Sequence, residues 1–297
     1  MSTPTFKPPN RPLTWLITGS SSGLGLAITR QIQADGHKVI ATSRQPSRTP
    51  ELVREIEEHG GEWHALDVDN TTSGPALIHK LEAAGENIDV LVNNAGAILF
   101  GAMEQFTDEE LRAPMETMYF GPSRLIRAVL PAMRERRFGL VVNISSGAAL
   151  DGKESMGAYA GAKAALDGSS RVLAKEVAPF NIRVLTVWLG TFNTNIGNAS
   201  ALARNPLPDV YQGSMAARMM DAISSGNFPA NGDRLKAAKA IYEVAVGEGG
   251  GAGRETELFL PMGGDMISRV EVVRDQCVRA LEVFGDVAAS VGIDAKA

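Results

Sequence analysis

A doubly wound α/β fold, with an open parallel sheet of about seven strands and helices on both faces of a single domain, is what this sequence predicts. Three observations carry that expectation. Short apolar runs alternate with stretches of helical spacing along most of the 297 residues. A glycine-rich turn joins the first apolar run to the first helical stretch, as in a strand–turn–helix unit. No repeat or linker divides the chain, so one sheet built by right-handed crossovers can account for it.

The elements follow in order. Strands are expected at 13–17, 38–43, 62–66, 88–92, 140–144, 182–187 and 258–260, each an apolar run of strand length bounded by turn residues. Leu24, Ile28 and Ile32 give the first helix its spacing, and helices follow at 51–59, 75–84, 115–136, 158–178, 236–246 and 270–283. Pro131 is expected to bend or end the 115–136 helix early, because proline removes a backbone donor. Residues 190–232 break the rhythm with Pro206, Pro208 and Pro229 and are read as a substrate lid around a short helix at 214–223. Met215, Met219 and Met220 are read as packing that helix down rather than lining a pocket. Residues 1–12 hold four prolines and are read as a disordered extension.

Composition narrows the function. A net charge of −5 leaves no basic stripe, which excludes nucleic acid as the expected partner. Apolar runs fall far short of the roughly 18 residues of a membrane span, and the first residues are neither signal peptide nor anchor. The lone Cys277 excludes an internal disulfide and fits a cytoplasmic location. No metal-binding pattern is present; His37, His59, His64 and His79 read as surface or packing residues.

Two stretches carry chemistry. Thr18-Gly19-Ser20-Ser21-Ser22-Gly23-Leu24-Gly25 lies where a strand opens into a helix. Glycine there lets a phosphate approach the backbone, and the helix N-terminus offers unpaired N–H groups to an anion. The same residues also satisfy the G-x-S-x-G elbow of hydrolases, but that mechanism needs a late histidine and all four lie in the first third. Tyr159 and Lys163, four apart near a helix start, share one face. A cation beside a phenol favours the phenolate, so such a tyrosine can exchange a proton near neutral pH. A surface pair is the plainer reading of Y-x-x-x-K alone. Three strand ends weigh against it: Asn93-Asn94-Ala95-Gly96, Ser145-Ser146, and Leu189-Gly190-Thr191-Phe192-Asn193-Thr194, all at the carboxyl edge where ligands bind in such sheets.

Together these motifs resemble the classical branch of the short-chain dehydrogenase/reductase family, over roughly residues 13–265. The resemblance implies a Rossmann-type sheet and hydride exchange between a nicotinamide and a ketone or secondary alcohol. It implies a cofactor loop from Gly19 through Ser21, Ser22, Gly23 and Leu24, and a sheet-stabilising element at Asn93, Asn94, Ala95 and Gly96. Ser146, thirteen positions before Tyr159, is implied to bond the substrate oxygen, with Tyr159 as general acid/base. Lys163 is implied to bind the cofactor ribose and lower the phenol's pKa. Asp67 and Val68 are implied to flank the adenine; Leu189, Gly190, Phe192 and Thr194 fall in the stretch implied to meet the nicotinamide. After the second strand Ser43 and Arg44 replace the acid that would repel a 2′-phosphate, so NADP(H) is expected over NAD(H). A homodimer or homotetramer, joined by the helices at Met115 and Ala158, is also implied. Two departures stand out. Met118 occupies the place of an asparagine that supports a helix kink and a proton relay, and Leu189 replaces a proline, which is expected to loosen the loop start. The tail 258–265 resembles the subgroup similar to 17β-hydroxysteroid dehydrogenases and suggests a bulky ketone. The rival readings are a non-redox epimerase or dehydratase on the same scaffold and a catalytically silent nucleotide sensor.

Overall fold

The computed structural model describes residues 6–192, 201–225 and 232–293. Seven strands form one sheet: β1 (Thr14–Ile17), β2 (Lys38–Ser43), β3 (Glu62–Ala65), β4 (Val90–Asn93), β6 (Gly139–Ser146), β7 (Ile182–Leu189) and β9 (Phe259–Met262). Their order across the sheet is β3-β2-β1-β4-β6-β7-β9, and every pairing is parallel. The chain builds outward from β1 to β3, then crosses back to lay β4 on the other flank of β1. That reversal opens a crevice at the carboxyl ends of β1 and β4, where such sheets bind ligands.

Among the described residues the α-helices are α1 (Gly23–Ala34), α2 (Pro50–Glu58), α3 (Ser73–Ala83), α4 (Asp108–Met115), α5 (Gly121–Arg136), α6 (Ala148–Asp151), α7 (Gly157–Val177), α8 (Met215–Ser224), α9 (Arg234–Val246) and α10 (Gly264–Ser290). The side-chain alternation of a strand splits the core into two layers. Trp15 and Ile17 of β1 pack with Ile28 and Ile32 of α1 and Ile241 of α9, while Leu16 between them packs with Ile78, Leu125 and Val129 on the other face. With both faces covered, the strands read as unbroken apolar runs, which is why they were visible in the sequence.

Several expectations are corrected. The 115–136 stretch is not one helix: α4 ends at Met115, a π-helical turn spans Glu116–Phe120, and α5 continues through Pro131 to Arg136. Pro131 costs one backbone hydrogen bond but leaves Val129 and Met133 of the same helix fully buried, and that burial holds the helix together across it. The N-terminal segment is pinned from Phe6 onward. Phe6 stacks on Phe138 at 5.5 Å, and Arg11 forms a two-pronged ion pair with the buried Asp89 at 2.6 and 2.9 Å. Two short strands went unpredicted, β5 (Leu99–Phe100) and β8 (Ala201–Leu202), which pair in parallel outside the main sheet. In α8 no residue is fully buried and Met215 is half exposed; Ile223, not a methionine, packs toward Tyr159. The last helix runs far beyond 283, to Ser290.

Candidate active site

The glycine turn is shaped by close approach. Gly19 and Gly23 have φ of +72° and +58°, a region L side chains rarely enter. A Cβ at Gly25 would collide with the Gly19 carbonyl and the Asn94 amide. Asn94 donates from Nδ2 to the carbonyls of Thr18 (2.9 Å) and Gly19 (3.2 Å), and Thr18 Oγ1 accepts from the amides of Asn94 and Ala95 (3.0 and 3.1 Å). The ends of β1 and β4 are thereby sewn together at the crevice. Ser22 caps α1 with extended backbone and no side-chain bond, so its first N–H groups face the crevice.

One cleft of about 270 Å³ is lined by Gly19, Ser21, Ser22, Gly23 and Leu24, by Ser43 and Arg44, by Asp67 and Val68, by Asn94, Ala95 and Gly96, and by Tyr159, Lys163 and Leu189. Four predicted residues lie outside this lining. Asn93 turns under the sheet, where Nδ2 donates to Asn143 Oδ1 (2.8 Å), because a buried amide needs a partner. Ser146 sits beside the cleft. Gly190 is covered by the Asp265 carboxylate, and the Phe192 ring packs onto Gly232 and the apolar layer. Thr194 falls outside the described residues. Ser43 accepts a bond from Trp63 Nε1 at 3.0 Å, while Arg44 stands exposed at the rim.

Tyr159 and Lys163 project from the first turns of α7 into this space, both buried. The Ser146 hydroxyl bonds the phenol and accepts from the Ala148 amide at 3.2 Å. Lys163 Nζ donates to the Ile144 carbonyl at 2.6 Å and lies 5.9 Å from the Tyr159 ring centre. The expected lowering of the phenol's pKa by Lys163 does not appear: burial pushes Tyr159 up, opposed by the Ser146 hydroxyl and by the positive charge of Arg269. Burial also pulls Lys163 down to about 8, against the charge of Asp167 one turn further along. A neutral phenol is a proton donor, the form ketone reduction requires.

The two departures leave the local backbone in place. Met118 is buried, its sulfur lying 3.2 Å from where a Gly96 Cβ would stand, and the helical irregularity around it persists as the π turn. Leu189 does not loosen its loop. Its carbonyl accepts from Gly147 N, and Gly190 N donates to the Met262 carbonyl, both at 2.8 Å.

Sequence reasoning missed Arg269 and Asp265 at the head of α10. Arg269 donates to both oxygens of Asp151 (2.6 and 2.8 Å) and reaches Asp265 at 3.4 Å, while Asp265 accepts from the Thr191 amide and hydroxyl. They brace the segment after Ser146 against the segment after β7. Their partners lie up to 118 residues away, so no local pattern announced them.

The donors at the head of α1, the tight turn that Gly19 and Gly23 allow and the exposed guanidinium of Arg44 fit a dinucleotide phosphate. Among the described residues no group of side chains could hold a metal ion, and no helix is long and apolar enough to cross a membrane.

A model of the short chain dehydrogenase family matches residues 14–205. The oxidoreductase claN of Passalora fulva is 43% identical over 211 residues, covering 71% of this chain and 93% of that protein. A solved short-chain dehydrogenase from Streptomyces avermitilis has a TM-score of 0.84 at 35% identity, over 95% of this chain and 100% of the other. A metagenomic short-chain oxidoreductase solved in complex with NADP gives 0.57 at 32% identity, over 60% and 81%.

Proposed function

The chain belongs to the short-chain dehydrogenase family of oxidoreductases, and on that premise we propose that it is an NADP(H)-dependent enzyme interconverting a ketone and a secondary alcohol. The observation that carries the reading is the buried Tyr159 phenol, bonded to Ser146 and sharing a cleft with Lys163 and the glycine turn. When bound, the nicotinamide dinucleotide supplies or accepts the hydride.

The chain's own residues do the rest. Ser146 holds the substrate oxygen, and Tyr159 donates its proton there in reduction and takes one back in oxidation. Lys163 binds the ribose, and the Ser146 hydroxyl and the positive charge of Arg269 favour the proton's departure from the phenol. Ser21, Ser22, Gly23 and Leu24 cradle the pyrophosphate at the head of α1. Asp67 and Val68 flank the base; Leu189, Gly190, Phe192 and Thr194 serve the nicotinamide end. Ser43 and Arg44 accommodate a 2′-phosphate, a reading supported by the NADP carried by a 32% identical neighbour. The protein works in the cytoplasm as a single domain whose substrate lid is assigned to 190–232, of which residues 193–200 and 226–231 lie outside the described residues, and pairs through the helices around Met115 and Ala158. Ile98, Phe100, Ala148, Met156 and Ile223 form an apolar cluster around Tyr159, which suits a bulky uncharged ketone, as does the likeness of 258–265 to 17β-hydroxysteroid dehydrogenases.

Tyr159→Phe keeps the fold and removes the proton donor. NADPH fluorescence titration should be unchanged while reduction of a ketone panel falls by roughly 100-fold or more. Turnover equal to the wild type would overturn the reading. Arg44→Asp should move preference toward NADH, by about tenfold or more in kcat/KM ratio, since an acid there bonds the ribose and repels phosphate.

A further inference from the structure

Helix α10 carries far more apolar surface than the body of the protein covers. Met266 is its only buried residue, and from Glu271 onward almost every position is exposed, including Leu281, Phe284 and Val287 at 71%, 61% and 56%. Some twenty helical residues thus stand clear of the sheet, and a helix of that length has little stability in water without a packed face.

That face is regular. Met266, Val270, Val273, Cys277, Ala280, Phe284, Val287 and Val291 recur at alternating four- and three-residue steps, an unbroken apolar heptad seam. The seam begins as the contact that holds α10 on the body at Met266 and runs on past the body's edge. We propose that α10 pairs antiparallel with α10 of a second copy of this chain, giving the protein an assembly surface separate from the helices at Met115 and Ala158.

Four observations select this occupant. Turned end for end, the seam closes on itself: Val270 meets Val287 of the partner subunit, Val273 meets Phe284 of the partner subunit, and Cys277 meets Ala280 of the partner subunit, so every layer is apolar and the one aromatic ring faces a valine. The antiparallel arrangement also keeps the two bodies at opposite ends and opposes the helix dipoles. Three heptads side by side, about 30 Å long, bury on the order of the 600 Å² a side that the smaller stable interfaces need. The polar face holds Glu271, Asp275, Glu282 and Asp286 against Arg274 and Arg279, with no lysine. That surface is acidic, which disfavours an anionic bilayer as the covering surface.

Cys277 is the chain's only cysteine and is exposed, so the register can be read by cross-linking. An equimolar mixture of wild type and a Cys277→Ala/Ala280→Cys chain should form an interchain disulfide under mild oxidant, at about five times the yield of either chain alone. Phe284→Glu should halve the mass measured by light scattering at about 20 μM. The unchanged fluorescence of Trp15, Trp63 and Trp188, all in the sheet, would show that the body is intact. A wild type that is monomeric, a mass unaffected by Phe284→Glu, wild type cross-linking to itself better than in the mixture, or monomers floating with phosphatidylserine vesicles would each overturn the proposal.

Discussion

Among single residues, Lys163 shows how a functional side chain weighs on stability. Its ammonium is buried and reads about 8 in the folded protein against an ordinary 10.5. Between those values the unfolded chain binds more protons, so this group makes the protein more stable as pH rises from about 8 toward 10.5. Below 8 it costs up to about 3 kcal/mol. Lys163→Met should therefore lose activity yet flatten that rise, and gain stability at pH 7 relative to the wild type; urea unfolding at pH 7 and 10 reads both. The shared helix face of Tyr159 and Lys163 and the strand end at Ser145-Ser146 were legible because local repeats place them, whereas the choice of Ser146 over Ser145 rested on its interval from Tyr159 in the family it resembles. Arg269 and Asp167 were not legible. One acts through an ion pair across 118 residues, and the other through Trp188 of β7, which bonds Asp167 Oδ2 at 2.7 Å.

At the scale of elements, the turn between β1 and α1 is held by backbone proximity rather than by side chains. Gly25→Val would drive a branched side chain into the Gly19 carbonyl and the Asn94 amide. The expected outcome is loss of dinucleotide binding by at least 100-fold in fluorescence titration, with a destabilisation of about 1–3 kcal/mol for the added bulk. The strands were readable because burial on both faces makes them uniformly apolar. The π turn at Glu116–Phe120 and the continuation of α5 through Pro131 were not, since local propensity argues for a break and only the buried apolar face overrules it. β5 and β8, two residues each, carry too few side chains to show a period.

For the molecule as a whole, the alternation of strands and helices disclosed the fold class, and the order of the sheet follows from crossover handedness and the one reversal at β1. How far α10 extends past the sheet could not be read, because a heptad seam looks alike whether it meets its own body or another. The Asn93–Asn143–Ser170 chain of hydrogen bonds (2.8 and 2.9 Å) ties β4, β6 and α7 together, so the glycine turn and the tyrosine helix share one rigid frame.

That sheet order also sets a timetable for the ribosome. β4 ends at Asn93, but the strand that covers its open edge, β6, is not finished until Ser146. At 5–20 residues per second the nascent chain exposes an unpaired edge for ~3–10 s. In this interval, as in the longer one between the end of β1 at Ile17 and the completion of its second neighbour β4 at Asn93, the growing chain offers a chaperone an edge to protect.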